Sequence, residues 1–194
     1  MEENREQDPL KGSQEEAMEN LEPKKKKNEG WGSYLLTLAI ALVIALILRF
    51  FVFLPVTVTG SSMYDTLHNG DRVLAEKLTL SGLPKRFTVV VVEYPGFSEL
   101  FVKRVIGLPG ERVSVKEGAI YINGEKLSDP YNPGDSMMSD MEDVVVPEDH
   151  VFVMGDNRND SMDSRAKSVG PIPRGAIRGK GLVLLWPLNR LKIL

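Results

Sequence analysis

Apolar positions along this chain fall into two regimes. The first is the run WGSYLLTLAIALVIALILRFFVFLP beginning at Trp31, uncharged from Tyr34 to Leu48 and apolar again after Arg49 as far as Leu54. A helix needs about 20 apolar residues to cross roughly 30 Å of hydrocarbon, so residues 31–54 are expected to form one transmembrane anchor helix. Arg49 lies near its far end, where a long side chain snorkels to the headgroups. A core helix would carry a polar stripe, and none is visible here. A cleavable secretory signal would have an apolar stretch of about 7 to 15 residues and then small residues, whereas bulky Phe50, Phe51 and Phe53 follow.

The second regime begins after Pro55. Short runs rich in Val, Ile, Phe and Tyr recur between turn signals: VTVT at 56–59, RVLAE at 72–76, TVVVVEY at 88–94, FVKRVI at 101–106, RVSV at 112–115, AIYI at 119–122, VVV at 144–146, VFVM at 151–154 and LVLLW at 182–186. RVSV and AIYI are joined by Glu117-Gly118, and AIYI is followed by Asn123-Gly124, a strong hairpin signal. Strand after strand without an intervening amphipathic helix predicts a mostly β fold. The expected architecture is an antiparallel β sandwich or barrel over residues 55–194, preceded by the single helix. Ser128 to Asp143, rich in Pro, Asp, Ser and Met, reads as a surface loop.

Composition narrows the possibilities. Residues 1–30 are polar and charged with no apolar periodicity, and are expected to be a disordered tail. Lys24 to Lys27 directly precede the apolar run, so the positive-inside tendency places this tail in the cytoplasm and residues 55–194 outside. A formal net charge of −3, with no basic patch interleaved with aromatics, argues against nucleic acid as a partner. There is no cysteine, which removes thiol nucleophiles, disulfides and thiolate metal sites. The two histidines, His68 and His150, have no zinc-binding spacing, and no metal or cofactor is expected.

Candidate chemistry lies near the end of the anchor. If VTVTGSS continues as a strand, Val56, Val58, Gly60 and Ser62 share its apolar face. A serine there is either a satisfied core hydroxyl or a partly desolvated nucleophile. Neither histidine has a supporting pattern for activating it, and a neutral lysine is the other activator available to serine. In FVKRVIGLPGE, Lys103 stands between bulky apolar residues. Burial lowers a lysine pKa and makes the amine a base, an alternative to an edge-strand charge that blocks aggregation. Arg104 cannot play that part, because guanidinium stays protonated.

Three stretches in order now carry a resemblance: Ser62-Met63-Tyr64-Asp65-Thr66-Leu67, Val102 to Gly110 (VKRVIGLPG), and Gly155 to Arg165 (GDNRNDSMDSR). They resemble the signature boxes of type I signal peptidases, in particular the short Gram-positive-like form with one N-terminal anchor. The resemblance runs from the anchor to Trp186-Pro187. It implies a membrane-bound serine endopeptidase, with a Ser/Lys dyad and a mostly β domain, that removes signal peptides from exported preproteins. Its partners would be those preproteins and the lipid bilayer. Ser62 matches the nucleophile and Lys103 the general base; Ser161 matches a hydroxyl that orients the lysine amine, and Asp163 and Arg165 a supporting ion pair. An exposed loop bridge of little consequence is the other reading of that pair. Gly60 and Met63 fall at oxyanion or substrate-binding positions.

Two positions depart from the family pattern. Asp65 stands where the family has proline, three residues past the nucleophile; it can imitate the turn through an Asx-type hydrogen bond, but its charge favours the protonated lysine. Gly60 stands where many members offer a serine hydroxyl to the oxyanion, leaving the Ser62 backbone N–H as the donor that carries over. Trp186 and the terminal GLVLLWPLNRLKIL suit either a lipid-facing surface with an interfacial tryptophan or a core. A catalytically weakened, membrane-tethered β-module that binds exported proteins without cutting them is the competing function.

Overall fold

The computed structural model of the protein describes residues 31–77, 82–132 and 137–194; the expected cytoplasmic tail at 1–30, with Lys24 to Lys27, lies outside the described residues. The chain divides into two compact units, residues 1–43 and 44–194. Described residues of the first unit are helical. Helix α1 spans Trp31–Ile47, 17 residues without a charge and without a buried side chain. A π-helical turn, Leu48–Val52, continues it. No helix among the described residues is by itself long and apolar enough to cross a membrane.

Strand β1 (Phe53–Thr57) starts before the expected end of the helix at Leu54. Pro55 explains the shift: its ring disfavours helical backbone at the preceding residue, so Leu54 is already extended. The remaining strands are β2 (Arg72–Glu76), β3 (Val89–Glu93), β4 (Leu100–Gly107), β5 (Arg112–Lys116), β6 (Ala119–Ile122), β7 (Glu125–Lys126), β8 (Met141–Val145), β9 (His150–Met154), β10 (Ile172–Pro173), β11 (Ile177–Trp186) and β12 (Lys192–Ile193). They form two antiparallel sheets. The eight-stranded sheet runs β1-β2-β11-β3-β4-β9-β10 with β12 on β11, and the four-stranded sheet runs β7-β6-β5-β8. Both expected hairpins form, with Glu117, Gly118, Asn123 and Gly124 at positive φ as two-residue turns of this kind require.

The fold is thus mostly β with antiparallel pairing throughout. Strand β11 begins five residues ahead of the LVLLW run, because Gly179 and Gly181 look like breakers but serve close packing. A Cβ at Gly179 would lie 2.7 Å from the Glu76 carbonyl oxygen, and one at Gly181 would lie 3.0 Å from a methyl of Val89. Strand β8 opens inside the segment expected to be a loop. In β3 all four valines are buried, the pattern of a strand covered on both faces, and each contributes about 1.5–3 kcal/mol by leaving water. Trp186 is half exposed rather than part of the core, and Leu188, Leu191 and Ile193 are exposed beside it in sequence.

Among the described residues the core falls into three clusters. One groups Val90, Val92, Tyr94, Val105, Val153 and Ile177. A second lies against the small sheet, with Ile106, Val113, Val115 and Phe152. The third groups Val58, Met63, Leu67, Val73, Val89, Val102 and Leu184. Strand β4 passes among all three with residues 102–107 buried, so Lys103 and Arg104 enter the interior on opposite faces.

Candidate active site

Strand β1 ends at Thr57, and Ser62 does not lie on it. The chain reverses at Gly60, where φ is +88°, and continues as a turn in which Tyr64 N–H donates to Ser61 O and Leu67 N–H to Met63 O. What aims Ser62 is therefore this turn and not strand alternation. Met63 and Leu67, both fully buried, pin the turn to the third cluster. The Met63 side chain is spent on the core, and its carbonyl accepts the Leu67 N–H. The Gly60 N–H donates to Asn69 Oδ1 at 3.0 Å and is already engaged.

Lys103 reaches Ser62 from β4. Its Nζ stands 2.6 Å from Ser62 Oγ, and the lysine is 2% exposed. Burial lowers its pKa from the usual 10.5 to about 8, against the opposing pull of Asp163, Asp156 and Asp160. Asp65 is exposed and takes no part in a hydrogen bond among the described residues. The Asx-type bond expected of it is not made.

A loop from Gly155 to Arg165 closes the site from the other side. Asn157 N–H donates to Ser62 O at 3.0 Å, and its side-chain amide to Ser61 O at 3.3 Å. Asp163 receives Arg165 through two bonds of 2.8 Å and the Gly155 N–H at 3.0 Å. Burial alone would raise the Asp163 carboxyl, but the Arg165 guanidinium outweighs it and holds the pKa below the usual value. With Arg165 Nη1 also donating to Arg158 O, this pair is built into the loop and is not an exposed bridge. Ser161 Oγ is buried without a partner of full hydrogen-bond geometry, yet near enough to Asp163 to help keep it ionised. Tyr94 packs below, its hydroxyl donating to Met162 O; burial, then the Asp163 charge, raises its pKa.

Several contributors were not singled out from sequence. Gly155 is one: a Cβ there would lie 2.3 Å from both Ser62 O and Ser161 Oγ. Arg104 and Asp156 are two more. Their two-point ion pair, at 2.8 and 2.7 Å, is almost wholly buried, and Arg104 also donates to Phe87 O. Breaking such a pair from one side typically costs about 3–5 kcal/mol. The available signal was an arginine and an aspartate inside two neighbouring boxes, one of them within an apolar strand.

A serine hydroxyl beside a buried amine of lowered pKa, held by a rigid loop, has the composition of a nucleophile and its base. No group of acidic or histidine side chains suited to a metal occurs among the described residues. The family described as signal peptidase, peptidase S26, matches residues 31–186. Signal peptidase I T of Bacillus subtilis (strain 168) is 38% identical over 192 residues, covering 92% of this chain and 97% of that one. Signal peptidase I S of the same organism is 37% identical over 90% of this chain and 97% of its own. Signal peptidase I of Bacillus licheniformis is 39% identical over 79% and 87%.

Proposed function

Because this chain belongs to the signal peptidase family, peptidase S26, we propose that it is a membrane-bound endopeptidase cleaving N-terminal signal peptides from exported preproteins through a Ser62/Lys103 dyad. The observation that carries the reading is the 2.6 Å approach of Lys103 Nζ to Ser62 Oγ, where burial lowers the lysine pKa to about 8.

Neutral Lys103 takes the Ser62 proton as Oγ attacks the scissile carbonyl. The Ser62 N–H donates to the oxyanion that develops. As the tetrahedral intermediate collapses, the Lys103 ammonium returns the proton to the leaving amine, which becomes the N-terminus of the mature protein. Water, deprotonated by Lys103, then attacks the Ser62 ester; the Lys103 ammonium returns that proton to Ser62 Oγ as the ester bond breaks, and the signal peptide leaves with a C-terminal carboxyl group that ionises in water. Asp163 and Arg165 fix the loop that carries Ser161, whose hydroxyl makes no bond to the amine in this structure and would have to turn to Lys103 to orient it between these steps.

Membrane attachment rests on helical structure from Trp31 through Val52. At about 1.5 Å per residue in its α part this approaches the roughly 30 Å of a hydrocarbon layer. Residues 1–30 would then be the cytoplasmic tail, residues 31–54 the anchor and its exit, and residues 55–194 the extracytoplasmic catalytic domain. Exposed Phe51, Trp186, Leu188 and Ile193 suit lipid contact.

The test incubates the detergent-solubilised protein with a preprotein. One cut at the signal-peptide junction, abolished in Ser62→Ala, is expected; an intact preprotein, or cleavage that survives the substitution, overturns the proposal. The pH profile follows from the same base. The active form is the free amine, so kcat/KM should rise with pH through a midpoint of about 8. A midpoint in the ordinary carboxylate range would instead assign the base to an acidic residue.

A further inference from the structure

The segment between β7 and β8 carries two contacts that the dyad does not explain. The carboxylate of Asp129 accepts the Tyr131 N–H at Oδ1, 3.0 Å, and turns Oδ2 to Arg158 Nη2, 2.6 Å away, a charge contact without full hydrogen-bond geometry. Both partners of that ion pair are buried: the Arg158 side chain is 1% exposed and that of Asp129 7%. One turn thus also presents the Tyr131 ring, which lies over the Arg104 guanidinium with its centroid 3.3 Å from Cζ. The small sheet therefore reaches two cations, one in β4 and one in the 155–165 loop.

Those cations flank Gly155-Asp156-Asn157. Arg158 Nε donates to Gly155 O at 2.8 Å, and Arg104 grips Asp156 with two bonds. Between them, Gly155 packs against Ser62 O and Ser161, and the Asn157 N–H donates to Ser62 O. A shift of this tripeptide is consequently a shift of the nucleophile. Without Asp129 the buried Arg158 charge loses its counterion. The guanidinium that holds Gly155 O is then no longer anchored from the side of Asp129. Without the Tyr131 ring, water reaches the Arg104–Asp156 pair and weakens it.

We propose that Asp129 and Tyr131 form a positioning clamp, by which the small sheet holds residues 155–157 against Ser62 in the geometry needed for attack. Neither side chain touches the reacting atoms; both act through arginines. The proposal rests on the functional reading above for its activity arm and on geometry alone for its second arm.

The test uses the full-length chain in detergent, with preprotein cleavage and amide hydrogen exchange measured side by side. Tyr131→Leu and Asp129→Asn should each lower kcat about ten-fold with KM within about two-fold. Amides of residues 155–165 should exchange faster in both. Tyr131→Phe, which keeps the ring face, should match the parent protein in both measurements. Ile122→Val, which trims the small sheet at a half-buried position outside the clamp, controls for lost stability and should change neither. Parent-like kcat and exchange in folded Tyr131→Leu and Asp129→Asn overturn the clamp, as does an equal loss in Ile122→Val. If the parent protein cuts no preprotein, the functional reading falls, and the exchange arm still decides whether the clamp exists.

Discussion

Lys103→Arg is expected to leave preproteins uncleaved, with a loss of about a thousand-fold or more in kcat/KM. Charge is kept by this change, so any role for Lys103 as a mere cation would survive it. What is lost is the ability to give up a proton, since guanidinium remains protonated throughout the working range. Burial lowers the lysine to a pKa of about 8 because an amine can discharge in a space where it is 2% exposed; an arginine there would retain its charge and need a larger slot. Ser62→Ala is expected to be as damaging, and the double variant no worse than either single one, as the proposed dyad requires of two side chains that act as a unit. The measurement is single-turnover cleavage of a radiolabelled preprotein across a pH series. Activity in Lys103→Arg that rises with pH like that of the parent would remove lysine from the mechanism.

Gly155→Ala is expected to lower kcat about a hundred-fold, the scale of a displacement of about 1 Å at a reacting group. The added methyl would stand 2.3 Å from the Ser62 carbonyl oxygen, a backbone atom with no rotamer to escape into, and 2.3 Å from Ser161 Oγ. The clash cannot be relieved without moving either the turn that aims Ser62 or the loop held by Asp163 and Arg165. Backbone freedom is not the issue, because Gly155, unlike Gly60, is not at positive φ. The eight-stranded sheet should persist, so far-UV circular dichroism is expected to match the parent protein while the rate collapses. A rate within two-fold of the parent would show that the loop yields freely and that its closeness to Ser62 is incidental.

Much of the β architecture was written in local pattern. The four valines of β3 need two covered faces, and Glu117-Gly118 and Asn123-Gly124 can hardly be anything but tight hairpin turns. Lys103 could be singled out because it interrupts an apolar strand. The two-residue strands β10 and β12 had no such signature, and β7 was announced only by the Asn123-Gly124 turn before it: so short a pairing is stabilised by its neighbours and has too few residues to show alternation. Helical backbone does not extend to Leu54, because Pro55 disfavours it at the residue before it, a rule that was legible but is easily outvoted by a long apolar run.

The site divides along the same line. Residue types and their order along the chain came from sequence, as did the pairing of Ser62 with Lys103, though only through a resemblance, since 41 positions separate them. Tertiary structure alone decided that Ser62 is aimed by a turn and that the Met63 side chain belongs to the core. The same holds for the Gly60 N–H, already engaged by Asn69, and for Asp65, which faces water. It also decided that Arg104, Arg158 and Arg165 each find a different buried carboxylate. Periodicity reports which face of an element a side chain occupies. It carries no information about which distant element covers that face, and the free energy of a buried charge depends on that covering partner.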